Sequence, residues 1–304
     1  MTRLILSDFS LILFSAYDVH FQNLFHAWVA IMIVVAVVCF LVSEISRNYS
    51  QVDKLWSLLP IAYGWITVTS APSARLIIMA SLVTVWGLRL SYNFYRKGGY
   101  SIIPWQGEED YRWKIIRNNP ILKGRLRFGL FNLLFISFYQ NIVILLFSSP
   151  LLLTSLYPDR SLTVLDGIAA IMMLVLIITE DTADNQLFKF HQMKKRGITQ
   201  DSLYKESSKK GFLTEGLWKY VRHPNFSSEQ GIWICFYFFG VAASGKLVNI
   251  TLLGPFLLVL VFIGSTKLTE SISAGKYPDY AEYQKTVPKF IPGIFNLMKK
   301  NETR

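Results

Sequence analysis

Residues 24–43 read LFHAWVAIMIVVAVVCFLVS, twenty positions without a charge, a proline or a glycine. Wound into a helix at ~1.5 Å per residue, such a run covers ~30 Å, the thickness of the hydrocarbon layer of a bilayer. It is apolar on every side, so it needs an apolar surrounding on every side. Working outward, comparable stretches recur near 55–71, 75–92, 128–148, 162–179, 230–245 and 247–266. The pattern predicts an all-α fold, a polytopic membrane helix bundle with about seven transmembrane helices. Composition agrees: of 304 residues, 52% are hydrophobic and 17% charged, and the mean hydropathy is +0.35. A soluble domain carries ~25% charged residues, and a disordered chain is poor in apolar ones. The sixth run is short for a span. Residues 4–16 form a further apolar stretch, but Asp8 interrupts it and only Arg3 precedes it. It reads as an interfacial segment rather than a span or a signal peptide. The organisation expected is an extracytosolic or interfacial segment at 1–23, one seven-helix domain at 24–293, and a cytosolic tail at 294–304.

The formal net charge of +11 is informative by its placement. With these spans, 26 of the 31 lysines and arginines fall on one side: in 44–54, 93–127, 180–229 and 267–304. Four fall on the other side (Arg3, Arg75, Arg160 and Lys246), and Arg89 lies within the third span. That asymmetry is the positive-inside pattern, which puts the large loops and the C-terminus in the cytosol. It accounts for the basic balance without a nucleic-acid partner. Cys39 and Cys235 both lie in apolar runs, so no disulfide framework or zinc spacing exists, and no metal is expected. Four dispersed histidines exclude the clustered ligands of a membrane di-iron enzyme.

Chemistry-bearing residues gather at the cytosolic ends of the spans. Arg89, in Trp86-Gly87-Leu88-Arg89-Leu90-Ser91-Tyr92, is either a snorkelling side chain or a cation facing a cavity or an anion. Asp53 opens the second span, where free N–H groups favour a carboxylate. The run Gly107-Glu108-Glu109-Asp110-Tyr111-Arg112-Trp113 fits a solvated loop or a nucleotide cover. Glu180 and Asp184 are four apart and share a helical face, with Gln186 and Lys189 further along. The densest run is GLWKYVRHPNFSSEQGIW from Gly216. There Pro224 suits a helix start, Asn225 and Glu229 would meet on one face, and Arg222 and His223 precede them. A carboxylate such as Glu229 at the membrane boundary is costly unless partnered.

The run from Gly216 to Glu229 resembles the GLW-x-Y-x-RHPN-(Y/F)-x-x-E signature of the DUF1295 membrane proteins, relatives of the steroid 5-alpha-reductase family. The resemblance spans roughly residues 50–293. It takes in Val52-Asp53 with Trp56, Leu88 to Ser91, Glu109 to Arg112, then Glu180, Asp184, Gln186, Glu270, Tyr280, Tyr283 and Phe290-Ile291-Pro292. It implies a seven-helix fold with a cytosol-facing NADPH pocket. Asp184, Asn225 and Glu229 would hold the cofactor, and Arg89, Arg222 and His223 would contact its phosphates or nicotinamide. The expected activity is reduction of a C=C bond in a steroid-like or other lipid enone. Tyr92 is the candidate, by position, for the acid that polarises the carbonyl. Two departures stand out: Phe226 replaces the usual tyrosine, and Ser228 replaces the small glycine before Glu229.

Isoprenylcysteine carboxyl methyltransferases have a similar Arg-His-Pro segment and tail, so an S-adenosylmethionine-dependent methyltransferase is the alternative. A non-enzymatic lipid-binding protein on the same fold is a third. The expected partners are a lipid-like small molecule and membrane lipids, with the chain a monomer. The resemblance also implies the endoplasmic reticulum.

Overall fold

Helices account for all regular structure among the described residues of the computed structural model, 19–197 and 204–293. The 4–16 stretch and the tail at 294–304 lie outside them. In chain order the α-helices are α1 (Val19–Ser46), α2 (Gln51–Leu55), α3 (Leu58–Ser70), α4 (Ala74–Arg96), α5 (Tyr111–Arg117), α6 (Arg125–Phe131), α7 (Gln140–Ser148) and α8 (Pro150–Ser155). They continue with α9 (Val164–Lys195), α10 (Lys205–Lys210), α11 (Pro224–Ser244), α12 (Leu253–Lys276) and α13 (Tyr280–Thr286). A π-helical turn, Asn132–Tyr139, joins α6 to α7.

Each of the seven expected runs is helical. Among the described residues, four helical stretches are long and apolar enough to cross a bilayer: Val19–Ser46, Ala74–Arg96, Arg125–Ser155 and Ile250–Lys276. The protein is therefore membrane-embedded. The other three runs differ from these for visible reasons. Helix α3 is apolar but has only 13 residues. Helix α9 is long, but its uninterrupted apolar stretch ends at Ile178, and the turns beyond carry Glu180, Asp181 and Asp184 among apolar residues. Helix α11 opens on the polar turns Asn225 to Gln230.

The chain forms two compact units, residues 1–173 with 233–258, and residues 174–232 with 259–304. In the first, the core is aromatic. Trp28 stacks on Tyr63 at 4.2 Å, and Trp233 meets Trp86 and Phe147 at 4.8 and 4.1 Å. Lipid is as apolar as these side chains, so close packing rather than escape from water holds such helices together. Glycine permits two of the closest approaches. A Cβ on Gly87 would lie 2.5 Å from the Ser57 carbonyl oxygen, and one on Gly254 would lie 2.2 Å from that of Leu146.

Arg75, which the loop count treated as an extracytosolic surface cation, is 1% exposed. Its guanidinium grips Asp166 through two bonds of 2.7 and 2.9 Å and donates to the Arg160 and Ser161 carbonyls. Asp166 also accepts from the Thr163 backbone and hydroxyl at 2.7 and 2.9 Å. Asn249, in the glycosylation triplet Asn249-Ile250-Thr251, is 5% exposed and accepts from the Thr251 N–H and hydroxyl, which leaves it no face for a glycan.

In the second unit, Phe190, Tyr204, Leu213 and Trp218 form one core cluster, and Phe212, Tyr280 and Tyr283 another. The first cluster holds the segment between α10 and α11 to α9, and the second holds it to α13.

Candidate functional site

The second unit brings Asp184, Asn225, Arg222, His223, Glu229 and Glu270 onto the same few elements. Glu180 and Asp184 lie one turn apart on α9, 4% and 2% exposed. Pro224 starts α11, and its missing N–H is no loss at that position. Asn225 follows in the same turn, with Ser228 and Glu229 one turn on, both buried.

Asn225 donates through Nδ2 to Asp184 Oδ1 at 3.2 Å. Its Oδ1 is shut off from solvent and accepts no hydrogen bond from any described residue. A buried acceptor without a donor costs ~1–3 kcal/mol, so it usually signals a missing partner. Carboxylates accept hydrogen bonds and donate none, so Asp184 and Glu229 are suited to hydroxyl and amide N–H groups.

Arg222 and His223 are placed differently from the expectation. The Arg222 guanidinium is 2.8 Å from Glu270 Oε1, donates to the Gln284 carbonyl at 2.8 Å, and also bonds the Val287 carbonyl. His223 Nε2 lies 2.9 Å from the same carboxylate oxygen. Gln284 and Lys289 complete the ring around Glu270 at 3.1 and 3.8 Å. The backbone N–H groups of Arg222 and His223 donate to Pro288 and Lys289, and Ser227 Oγ donates to the Phe290 carbonyl. The Arg222 guanidinium, His223 Nε2 and both backbone N–H groups thus help strap residues 287–290 across the start of α11. The signal for this pairing was Glu270 itself, a carboxylate at a helix end whose partners the sequence did not identify.

The two departures from the family signature have local reasons. The bare Phe226 ring stacks on His223 at 5.6 Å and meets Phe262 edge-on at 4.8 Å. Ser228 bonds back to the Pro224 carbonyl at 2.9 Å and stays buried within the helix.

On another face of α9, a cleft of about 360 Å³ is lined by Thr182, Asn185, Gln186, Lys189, Tyr204 and Gly216. Gly216 has φ +64°, and a Cβ there would lie 2.5 Å from Gln186 Oε1. Both facts call for glycine. The close approach lets the Leu217 N–H donate to Gln186 Oε1 at 3.0 Å, while Trp218 Nε1 donates to the Ala183 carbonyl. Sequence reading had marked Gln186 and Lys189. Tyr204 was missed because it is remote in the chain and carries no motif.

Arg89 and Tyr92 belong to the first unit, on α4. Arg89 is half-buried, whereas Tyr92 is 60% exposed with Arg96 over its ring at 5.7 Å. The 107–113 run folds back in that unit. Asp53 accepts from Trp113 Nε1 at 2.9 Å, Glu109 accepts from the Tyr49 N–H, and Asp110 caps α5 and pairs with Arg112. Lys54 is encircled by the Pro104 and Gln106 carbonyls and Gln51. Burial pushes the Asp53 carboxyl above its ordinary value, with the Asp110 charge adding to it. Burial opposes ionisation of Asp110 too, but the Arg112 charge and hydrogen bonds outweigh it and hold that carboxyl low.

Comparison with known proteins places the chain. Residues 39–287 match the family described as "Protein of unknown function (DUF1295)". The chain belongs to that family. It is 37% identical over 265 residues to a Schizosaccharomyces pombe protein described as uncharacterized, a match covering 83% of this chain and 75% of the relative. No solved structure matches it.

Proposed function

We propose that this chain is an NADPH-dependent membrane oxidoreductase that reduces a C=C bond of a steroid-like or other lipid enone. The observation that carries the reading is the buried, unpartnered Oδ1 of Asn225 beside Asp184, one turn from Glu229. The donor set suits the nicotinamide and ribose part of the cofactor. Asn225 Oδ1 would accept from the carboxamide N–H2, and Asp184 and Glu229 from ribose hydroxyls, as acidic residues do in other dinucleotide sites. When bound, NADPH supplies the hydride, and the protein supplies orientation and exclusion of water. Arg222 and His223 enter as positioning residues, because Glu270 and the 284–290 segment already engage them. Tyr92 has no part in the proposal; its ring is exposed. The proposed setting is the endoplasmic reticulum membrane, as the family resemblance implies, with the C-terminus in the cytosol, an orientation that the lopsided loop cations support.

The acidic set also favours a second reading. Carboxylates suit a cation, and the sulfonium and ammonium groups of S-adenosylmethionine are cationic. A titration of detergent-purified protein with each cofactor separates the two. The reductase reading expects saturable NADPH binding that Asn225→Ala weakens at least tenfold, without S-adenosylmethionine binding. The reverse pattern replaces it with a methyltransferase, and binding of neither leaves the lipid-binding reading.

A further inference from the structure

The cleft on α9 has no part in the nucleotide reading, since Asp184, Asn225 and Glu229 do not line it. Its chemistry is also of the opposite kind. Lys189 is its one lysine or arginine, and it forms no ion pair or hydrogen bond among the described residues. Gln186 is three residues earlier on the same face. Its amide orientation follows from its partner: the Leu217 N–H can only donate, so the atom it meets must be the oxygen. That turns the Gln186 N–H2 group away from Leu217, with no acceptor for it among the described residues. An ammonium and a pinned amide donor on one wall of a cleft make a site for an anion. Asp181 lies nearby in sequence, but its carboxylate accepts from Asn185 at 2.7 Å and does not line the cleft.

The depth of the cleft indicates which anion. Along α9 the uninterrupted apolar run ends at Ile178. At ~1.5 Å per residue, Thr182 stands ~6 Å beyond that point and Lys189 ~16 Å beyond it. The headgroup layer of one leaflet is roughly 5–8 Å thick. The cleft therefore begins near the headgroup layer at Thr182, and Lys189 stands outside that layer, where either a headgroup phosphate or a soluble one is the anion at hand. Tyr204, 3% exposed, supplies a ring wall. We propose that this cleft is a phosphoryl-binding site, filled by the phosphate of an anionic phospholipid headgroup or by a free phosphate of the same chemistry.

The test uses the full chain in phosphatidylcholine nanodiscs with no nucleotide present, so that its failure is separate from failure of the reductase reading. Binding is titrated with short-chain phosphatidylglycerol, short-chain phosphatidic acid and inorganic phosphate. Saturable binding is expected, reduced at least tenfold by Lys189→Met and retained by Lys189→Arg. Gln186→Glu keeps the oxygen for Leu217 but removes the N–H2 donors, so it should weaken binding as much while leaving the fold intact. Lys195→Met, an exposed cation outside the cleft, should change nothing. Binding of both lipid and inorganic phosphate assigns a general phosphate site, and binding of lipid alone assigns a headgroup site. Equal losses for Lys189→Met and Lys195→Met would mean diffuse attraction and overturn the proposal, as would the absence of saturable binding by any of the three probes.

Discussion

Two buried carboxylates, Asp166 and Asp184, sit near opposite ends of the same helix and are treated in opposite ways. Asp166 accepts four bonds, two from Arg75 and two from Thr163, and two further Arg75 donors are taken by carbonyls. Asp184 has an amide from Asn225 whose own oxygen has no donor. A closed polar cluster holds the chain together, whereas an open one waits for something. Taking charges out of water is repaid only when every lone pair and proton is used. The first cluster comes close to that condition within the protein, whereas in the second the Asn225 Oδ1 has no donor among the described residues.

The contrast is tested most severely at Asp166. Asp166→Ala leaves the Arg75 guanidinium buried without its counter-charge, at a cost of about 3–5 kcal/mol. In detergent the thermal unfolding midpoint should fall well below that of the natural chain. Pairing it with Arg75→Met removes the stranded charge and should recover part of the loss. If Asp166→Ala melts like the natural protein, the cluster is not holding the fold.

Glu270 is intermediate, because it closes its cluster around cations that could otherwise face a ligand. Glu270→Gln keeps an oxygen for Arg222 but removes the charge that also draws His223 and Lys289. A charge-assisted hydrogen bond is worth about 1.5–3 kcal/mol, so a loss of about 2 is expected. Release of the strap should show as faster proteolysis within residues 287–293. Unchanged proteolysis would mean that the backbone bonds alone hold the strap.

The loop cluster of the first unit gives smaller effects that carry a sign. Asp110 is held below its ordinary value of 3.8. Its contribution is therefore present above about pH 4 and lost as pH falls through the depressed value. Asp53 is raised, so its ionisation works against the fold at neutral pH. Asp110→Asn keeps a helix cap but loses the pair with Arg112. It should lower stability at pH 7 by about 1 kcal/mol and flatten the acid limb of the stability curve. Asp53→Asn still offers an oxygen to Trp113 and should shift stability at pH 7 upward. Shifts of the same sign in both variants would contradict the opposed environments of the two carboxyls.

Much of this was legible from residue order, for physical reasons. An apolar run such as 24–43 has only one way to bury its backbone in lipid, so the helices follow from hydropathy alone. The resemblance implied that Asp184 and Asn225 serve one cofactor, but not the hydrogen bond between them. The fate of Arg222, His223 and Arg75 was not legible, because their partners Glu270 and Asp166 lie 48 and 91 residues away. A sequence shows that a charge is present without showing what neutralises it. The extension of α9 past Ile178 was legible as far as Lys189 from the shared face of Glu180 and Asp184, but its continuation to Lys195 was not. That extension carries both Asp184 and the cleft.

Asn225→Ala should give the smallest change in stability and the most informative change in function. Its Oδ1 has no donor to lose among the described residues, and removing an unpaired buried acceptor relieves a cost of ~1–3 kcal/mol. Loss of the amide bond to Asp184 works the other way by a similar amount. The two nearly cancel, and the unfolding midpoint without ligand should stay within the equivalent of about 1 kcal/mol of the natural chain. A bound nucleotide reverses the balance, because the oxygen then has a partner to lose. Saturating NADPH should raise the midpoint of the natural protein, and a tenfold loss of affinity corresponds to about 1.4 kcal/mol of that gain. The variant should therefore match the natural chain alone and fall behind it only when ligand is added. A variant destabilised equally in both conditions would make Asn225 one more closed contact, no different in kind from those around Asp166.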